Sequence, residues 1–136
     1  MTATSDPPWP PAGTQVLDQA ALAILRDLQE PGQPDLLLEI ATVFFADARR
    51  RIGEIEAAIA RSEPAEVHGT AHAIKGGAWV IGAMRLAHAC GALEEDAAAG
   101  RLDDARLWVG RIAVELELLS TAVTSVETAS GEAASR

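Results

Sequence analysis

The chain is short of several residue types, and each shortage removes a class of protein. There is no tyrosine, and three tryptophans and two phenylalanines bring the aromatics to only 4% of 136 residues, which disfavours a β-sandwich or an α/β sheet. The single cysteine, Cys90, excludes an internal disulfide and any multi-cysteine metal site, and fits a reducing, cytoplasmic compartment. Cations are outnumbered, 11 Lys and Arg against 20 Asp and Glu, and the resulting charge of −9 argues against nucleic acid or an anionic membrane as partner. No apolar run approaches the roughly 18 residues that span a bilayer. The opening MTATSDPPWPPAG has neither the basic nor the apolar segment of a secretion signal. A glycine-rich nucleotide loop is also lacking, and a length suited to one core leaves no place for an ATP-binding domain. The expected partners are proteins.

What is present reads as helix. Ala and Leu dominate between two tails: a flexible arm over residues 1–14, rich in proline, and a flexible C-terminal tail over 128–136. The PPWPP of the arm reads either as plain tail or as a polyproline ligand. The domain between them, 15–127, divides into five amphipathic segments. The first, Val16 to about Leu28, places Leu17, Ala21, Ile24, Leu25 and Leu28 at helical spacing, and PGQP ends it. The second starts with Pro34 at its first helical position and carries the stripe Leu37, Ile40, Phe44, Ala48, Ile52, Ile55 and Ile59. Ser62 and Pro64 resemble a cap and a first-turn proline for the third, which runs to Ile81. Gly82 breaks into a fourth, Ala83 to Ala99, with Leu86, Cys90, Leu93 and Ala97 inside and Gly100 as its stop. Asp103 and Asp104 open the fifth, whose stripe alternates steps of three and four from Leu102 to Val126. Long amphipathic helices with short links predict an all-α, antiparallel up-down-up-down four-helix bundle with an additional short N-terminal helix.

The third helix holds the candidate site. At about 100° per residue, with His72 at zero, Val67, Ala71, Ile74, Ala78 and Ile81 fall roughly between 180° and 260°, and His68, Lys75, Gly76 and Trp79 within about 60° of His72. His72 is thus expected to face solvent, with a lysine one turn along. Gly69, Gly76 and Gly77 share this helix although each costs roughly 0.5 to 1 kcal/mol relative to Ala. Close packing accounts for Gly77, which points partly inward. Gly76, on the outer face, instead leaves bare backbone by which another protein can approach the imidazole. None of the 20 acidic residues falls between Val67 and Leu93, whereas Lys75 and Arg85 do. That pattern fits either a buried hairpin that excludes charge or a surface that receives a phosphoryl group.

The run His72-Ala-Ile-Lys75-Gly76, followed by Gly82, Leu86, Cys90, Leu93 and Glu94, resembles the signature of histidine-containing phosphotransfer (HPt) domains of two-component phosphorelays. The resemblance extends from about Val16 to Val126 through helix order, helix lengths and LLLEIATVFFADARRRIGEIEAAIA. It implies that His72 carries a phosphoryl group, that Lys75 stabilises it, that Gly76 keeps the approach open, and that Glu94 hydrogen-bonds and orients the imidazole. Cys90 would be an inert core residue. The implied partners are receiver domains of response regulators and a hybrid sensor histidine kinase. The chain would act as a monomeric carrier with no kinase activity and no cofactor of its own, the magnesium lying on the receiver. An initiating Met and two free tails favour a free-standing carrier over a domain cut from a sensor kinase.

Position 77 in the family is usually Ser or another small residue and position 79 a small one; this chain has Gly77 and Trp79. Trp79 reads either as a docking anchor for particular receivers or as packing over the helix ends. His68, Trp79 and Arg85 are the candidate docking residues. Two other readings stand beside this one. His68 and His72, four apart, are spaced to share a metal with His88 or Glu94, and a bundle of this kind also serves as a plain adaptor.

Overall fold

A computed structural model of the protein describes the backbone of residues 9–134 and the side chains of residues 9–126. Five helices follow one another: α1 (Gln19–Leu28), α2 (Leu36–Ala60), α3 (Pro64–Ile81), α4 (Met84–Ala98) and α5 (Ala105–Ala134). No strand occurs among the described residues. From α2 onward each helix packs on the next, and α5 returns to α2, closing a ring of four. The short links make successive helices antiparallel, so the ring is the expected up-down-up-down bundle. One continuous core fills it, including Phe44 and Ile55 from α2, Ile74 and Ile81 from α3, Leu86 and Leu93 from α4, and Ile112 and Leu119 from α5. Among the described residues no helix is long and apolar enough to cross a membrane.

Among the helix ends that differ from the expectation, three have a clear local cause. Pro34 precedes α2 instead of beginning it, because the Asp35 carboxylate caps the helix by accepting from the Leu38 N–H at 2.9 Å. Ser62 does not cap α3. It closes α2 in the left-handed region at φ 55°, where its N–H donates to the Ile59 carbonyl and the Glu63 N–H to that of Ala58, the paired bonds of a Schellman motif. Pro64 keeps its place in the first turn of α3. The backbone of α5 continues to Ala134, through most of the stretch expected as a tail, since ETASGEAA holds no proline to stop a helix already nucleated.

The ends of the chain and α1 also depart from expectation. Ile24 and Leu28 face solvent, and α1 buries Leu22 beside the expected Leu25, because it lies against only α2 and α3. Of the arm, residues 1–8 lie outside the described residues. Residues 9–14 are not featureless: a turn closes from Pro11 to Thr14 with Gly13 at φ 78°, and the Trp9 ring packs edge-on to Trp108 with centroids 5.7 Å apart.

The α3–α4 turn is the tightest point of the fold. Gly82 sits at φ 81°, its carbonyl accepts from the Asp18 N–H at 2.7 Å, and a β-carbon added there would lie 2.4 Å from that of Ala21. Glycine is needed both for the backbone angle and for the approach of α1. Gly82→Ala is therefore expected to cost about 2–4 kcal/mol, the sum of the left-handed penalty and of overpacking. Ser62 occupies in α2 the position that Gly100 occupies in α4, where the Gly100 and Arg101 N–H groups make the same pair of bonds. Ser62→Gly should raise stability by about 0.5–1 kcal/mol. Urea denaturation of the two variants checks both signs.

Candidate functional site

His72 lies midway along α3 with its side chain 65% exposed, because the apolar stripe from Val67 to Ile81 turns the opposite face of the helix into the core. Glu94 reaches it from α4. Leu93 and Cys90 are fully buried beside this position, so the α4 backbone is fixed and the Glu94 side chain, 12% exposed, emerges between the two helices. One carboxylate oxygen, Oε2, lies 2.5 Å from His72 Nδ1, and the other, Oε1, accepts from Lys75 Nζ. A single carboxylate thus holds both side chains of the HxxK pattern. His68 stands one turn before His72 with its ring nearly parallel, centroids 6.3 Å apart, and its Nε2 is 3.6 Å from Oε2, beyond hydrogen-bond reach.

The charge states follow from this geometry. Burial works to raise the Glu94 carboxyl, but the hydrogen bonds and charges of Lys75 and His72 outweigh it and hold the group below its ordinary 4.5. At neutral pH Glu94 is an anion and only accepts. The His72 nitrogen that faces it therefore carries a hydrogen, and in the neutral form of the ring the lone pair then lies on Nε2, across the ring from Glu94. Cys90 is the reverse case. Burial first, and the nearby Glu94 charge second, push its thiol up to about 12, so it is inert at neutral pH.

The glycines divide as their positions predict. A β-carbon on Gly77 would lie 2.9 Å from the Phe44 ring, which accounts for that residue by packing between α2 and α3. One on Gly76 would meet no atom within 4 Å, so the surface beside His72 is open and nothing inside the bundle requires the glycine.

Two of the candidate docking residues lie on the exposed side of α3. Trp79 is 48% exposed, with its edge against His88 at 6.3 Å, and His68 flanks the site. Arg85 must be corrected. Its guanidinium is turned inward, 22% exposed, and donates through Nη2 at 2.7 Å and Nε at 3.2 Å to Oε2 of Glu115, which is 1% exposed. The alternating stripe of α5 concealed this carboxylate, since a lone Glu in an amphipathic helix ordinarily faces water. Among the described residues no group of three or more His, Cys, Asp or Glu side chains is arranged to hold an ion.

Sequence reasoning passed over a groove next to the site. It has a volume of about 570 Å³ and is bordered by Lys75, Trp79, Glu94, Trp9 and Trp108. Trp9 lies in the stretch expected as a flexible arm, and Trp108 falls off the inner stripe of α5. The signal available was that a chain with so few aromatics places a tryptophan off a core stripe.

The model of the Hpt domain family matches residues 39–128. Histidine-containing phosphotransfer protein 5 of Arabidopsis thaliana is 30% identical over 74 residues, 52% of this chain and 47% of its own length. The chain thus matches about half of that curated relative. The crystal structure of histidine-containing phosphotransfer protein B of Pseudomonas aeruginosa superposes with a TM-score of 0.74 at 26% identity, over 83% of this chain and 95% of that one. A histidine-containing phosphotransfer protein of Medicago truncatula shares the fold alone, with a TM-score of 0.77 at 23% identity over 88% and 82% of the two chains.

Two outcomes follow from the charges. A carboxyl depressed in the folded state contributes its full stability above the ordinary carboxylate range and loses it as the pH falls through the lowered value. The excess stability of the wild type over Glu94→Gln should therefore be largest near pH 7 and vanish in acid, as thermal melts across pH 2–8 would show. Arg85→Ala would strand Glu115 in the core and should cost about 3–5 kcal/mol in a urea titration. An exposed docking arginine would cost almost nothing.

Proposed function

Because the chain belongs to the Hpt domain family, we propose that it is a phosphorelay carrier that accepts a phosphoryl group on His72 from a receiver-domain aspartate and passes it to another receiver. The observation that carries this reading is the Glu94 carboxylate bound to both His72 Nδ1 and Lys75 Nζ. With its hydrogen on Nδ1 the ring offers the Nε2 lone pair to the phosphorus of the incoming acyl phosphate. An N–P bond forms, the P–O bond to the receiver's aspartate breaks, and that carboxylate leaves with the electron pair. No proton has to move. The positive charge that develops on the ring is met by Glu94 through the Nδ1 hydrogen, an arrangement already in place before reaction. Passing the group on is the same step in reverse.

Lys75 sits one turn from His72, where its ammonium lies close to the arriving phosphoryl oxygens. Gly76 leaves room for the partner's loops. The receiver supplies the magnesium and the acidic residues that hold it, so the carrier needs no nucleotide and no metal of its own. Receiver domains of response regulators and a hybrid sensor kinase are the partners this chemistry fits, and a monomer in the cytoplasm suits an exchange that needs one exposed histidine.

Mixing the protein with a panel of receivers phosphorylated with labelled phosphate should place acid-labile label on it. His72→Gln should take up none, and label persisting in that variant would overturn the assignment. Glu94→Ala should slow transfer by about 10–100-fold, from the lost stabilisation of the ring cation. Glu94→Gln, which keeps an acceptor oxygen, should retain more of the rate.

A further inference from the structure

The three tryptophans of this aromatic-poor chain, Trp9, Trp79 and Trp108, all line one groove, and they arrive there from three separate parts of the sequence. Trp79 comes from α3, Trp108 from the first turns of α5, and Trp9 from the segment before α1. Between them the lining comes from α4, where the small residues Ala87, Gly91 and Ala92 stand beside His88, which packs against Trp79. One end of the groove is formed by Lys75 and Glu94, the two residues tied to His72.

Trp9 is clamped in place. Its ring stands edge-on to Trp108, and the guanidinium of Arg111 lies 5.3 Å from the Trp9 ring centre and 4.7 Å from that of Trp108, a cation shared by two indoles. The Pro11–Thr14 turn, closed by the Thr14 N–H on the Pro11 carbonyl at 3.2 Å, sends the chain back toward α1, and Pro11 and Ala12 extend the same wall. The PPWPP segment is therefore masonry of this groove in its described part, rather than a free ligand for another domain.

We propose that this three-tryptophan groove is the determinant of partner choice, occupied by an apolar ridge of the receiver domain that exchanges its phosphoryl group with His72. The proposal rests on the phosphotransfer reading above. Its physical basis is continuity. A protein whose aspartate comes within bonding distance of Nε2 must cover the surface next to it, and a specific contact needs about 800 Å² on each partner, many times the area of one imidazole. The groove begins at the residues that hold that imidazole. Tryptophan is the residue type that most often dominates binding energy, when set at the edge of a desolvated pocket. The small side chains of Ala87, Gly91 and Ala92 let a partner element come close to this part of the α4 backbone, and a ridge of long aliphatic side chains is the shape that fills the space between the indole walls. The acidic rim at Glu95 favours a basic residue beside that ridge.

The test uses the full protein labelled with ¹⁵N and receiver domains held in the phosphorylated form by magnesium and beryllofluoride, which mimic the acyl phosphate without transferring it. The indole N–H signals of the three tryptophans are followed during titration with the receiver that labels the protein fastest. All three are expected to shift or broaden together. Movement of Trp79 alone, or of none, would overturn the proposal. So would shifts that track the protein's own concentration without receiver, which would make a second copy the occupant.

In the transfer assay, Trp9→Ala and Trp108→Ala should each lower the second-order rate with that receiver by about tenfold and narrow the spread between the best and worst receivers of the panel. An unchanged spread in both, with Trp79→Ala equally without effect, would also refute it. Circular dichroism of each variant separates loss of fold from loss of docking. Labelling by phosphoramidate, a small donor that requires no docked protein, tests His72 independently. Wild type that takes label from neither phosphoramidate nor receivers loses the phosphotransfer reading itself, whereas label with unmoved indoles removes only the groove.

Discussion

One carboxylate organises the functional half of this molecule. Glu94 sits at the seam of α3 and α4, and its two oxygens hold His72 and Lys75 from opposite sides. That placement is only as good as the register of the two helices, which is set elsewhere. Gly82 lets α3 reverse into α4 within two residues, and the Asp18 N–H and Gln15 carbonyl brace the turn from the N-terminal side. Leu93 and Cys90 anchor α4 from within, and the bare face of Gly77 lets α3 settle against Phe44. Shifting α4 by one residue would turn Glu94 about 100° from His72. The packed core therefore reaches the site chiefly by fixing the position of one side chain.

How much of this the sequence revealed depended on whether the signal was local and periodic. The faces of α2 to α5 could be read because core residues recur at three and four, and the outward direction of His72 follows from the same period. The pairing of Glu94 with His72 is a contact across 22 positions. No periodicity gives it, and it entered through the resemblance of the motif to a known family. Helix ends were legible where one residue decides them, as at Gly82 and Gly100. They were not where two candidates compete: Asp35 against Pro34, or Ser62 as the close of α2 against Ser62 as the start of α3. Side-chain chemistry allowed both readings in each case, and the backbone hydrogen bonds chose.

Charge was the least legible property. Counting residues made the stretch from Val67 to Leu93 look cationic through Lys75 and Arg85. In the folded chain Arg85 is matched with Glu115 on α5, and Lys75 with Glu94 just past the end of that stretch. The Arg85–Glu115 pair is a cost as much as a bond. Glu115 leaves water entirely and Arg85 largely, and Glu115 Oε1 has no hydrogen-bond partner among the described residues. What the pair does supply is register. An apolar α5 could slide along α4 by a turn and still bury its stripe, whereas a buried carboxylate tolerates only the position that meets Arg85.

On the phosphotransfer reading proposed above, the charges around His72 would also govern how a phosphoryl group is held and released. Before reaction Lys75 and Glu94 cancel, so His72 stands in a locally neutral setting inside an acidic protein. The phosphoryl group adds roughly two negative charges at neutral pH, by analogy with other phosphorylated side chains. Against them stand the cation that forms on the ring and the ammonium of Lys75, the latter already engaged by Glu94. A phosphorylated site would therefore be net negative, within a chain whose charge is already −9. A site with several free cations would trap the group. Here Lys75 would be divided between Glu94 and the phosphoryl oxygens, and the balance would tip toward a partner that brought its own metal cation to the His72 face. Weak retention of this kind is what a carrier that passes its group on requires.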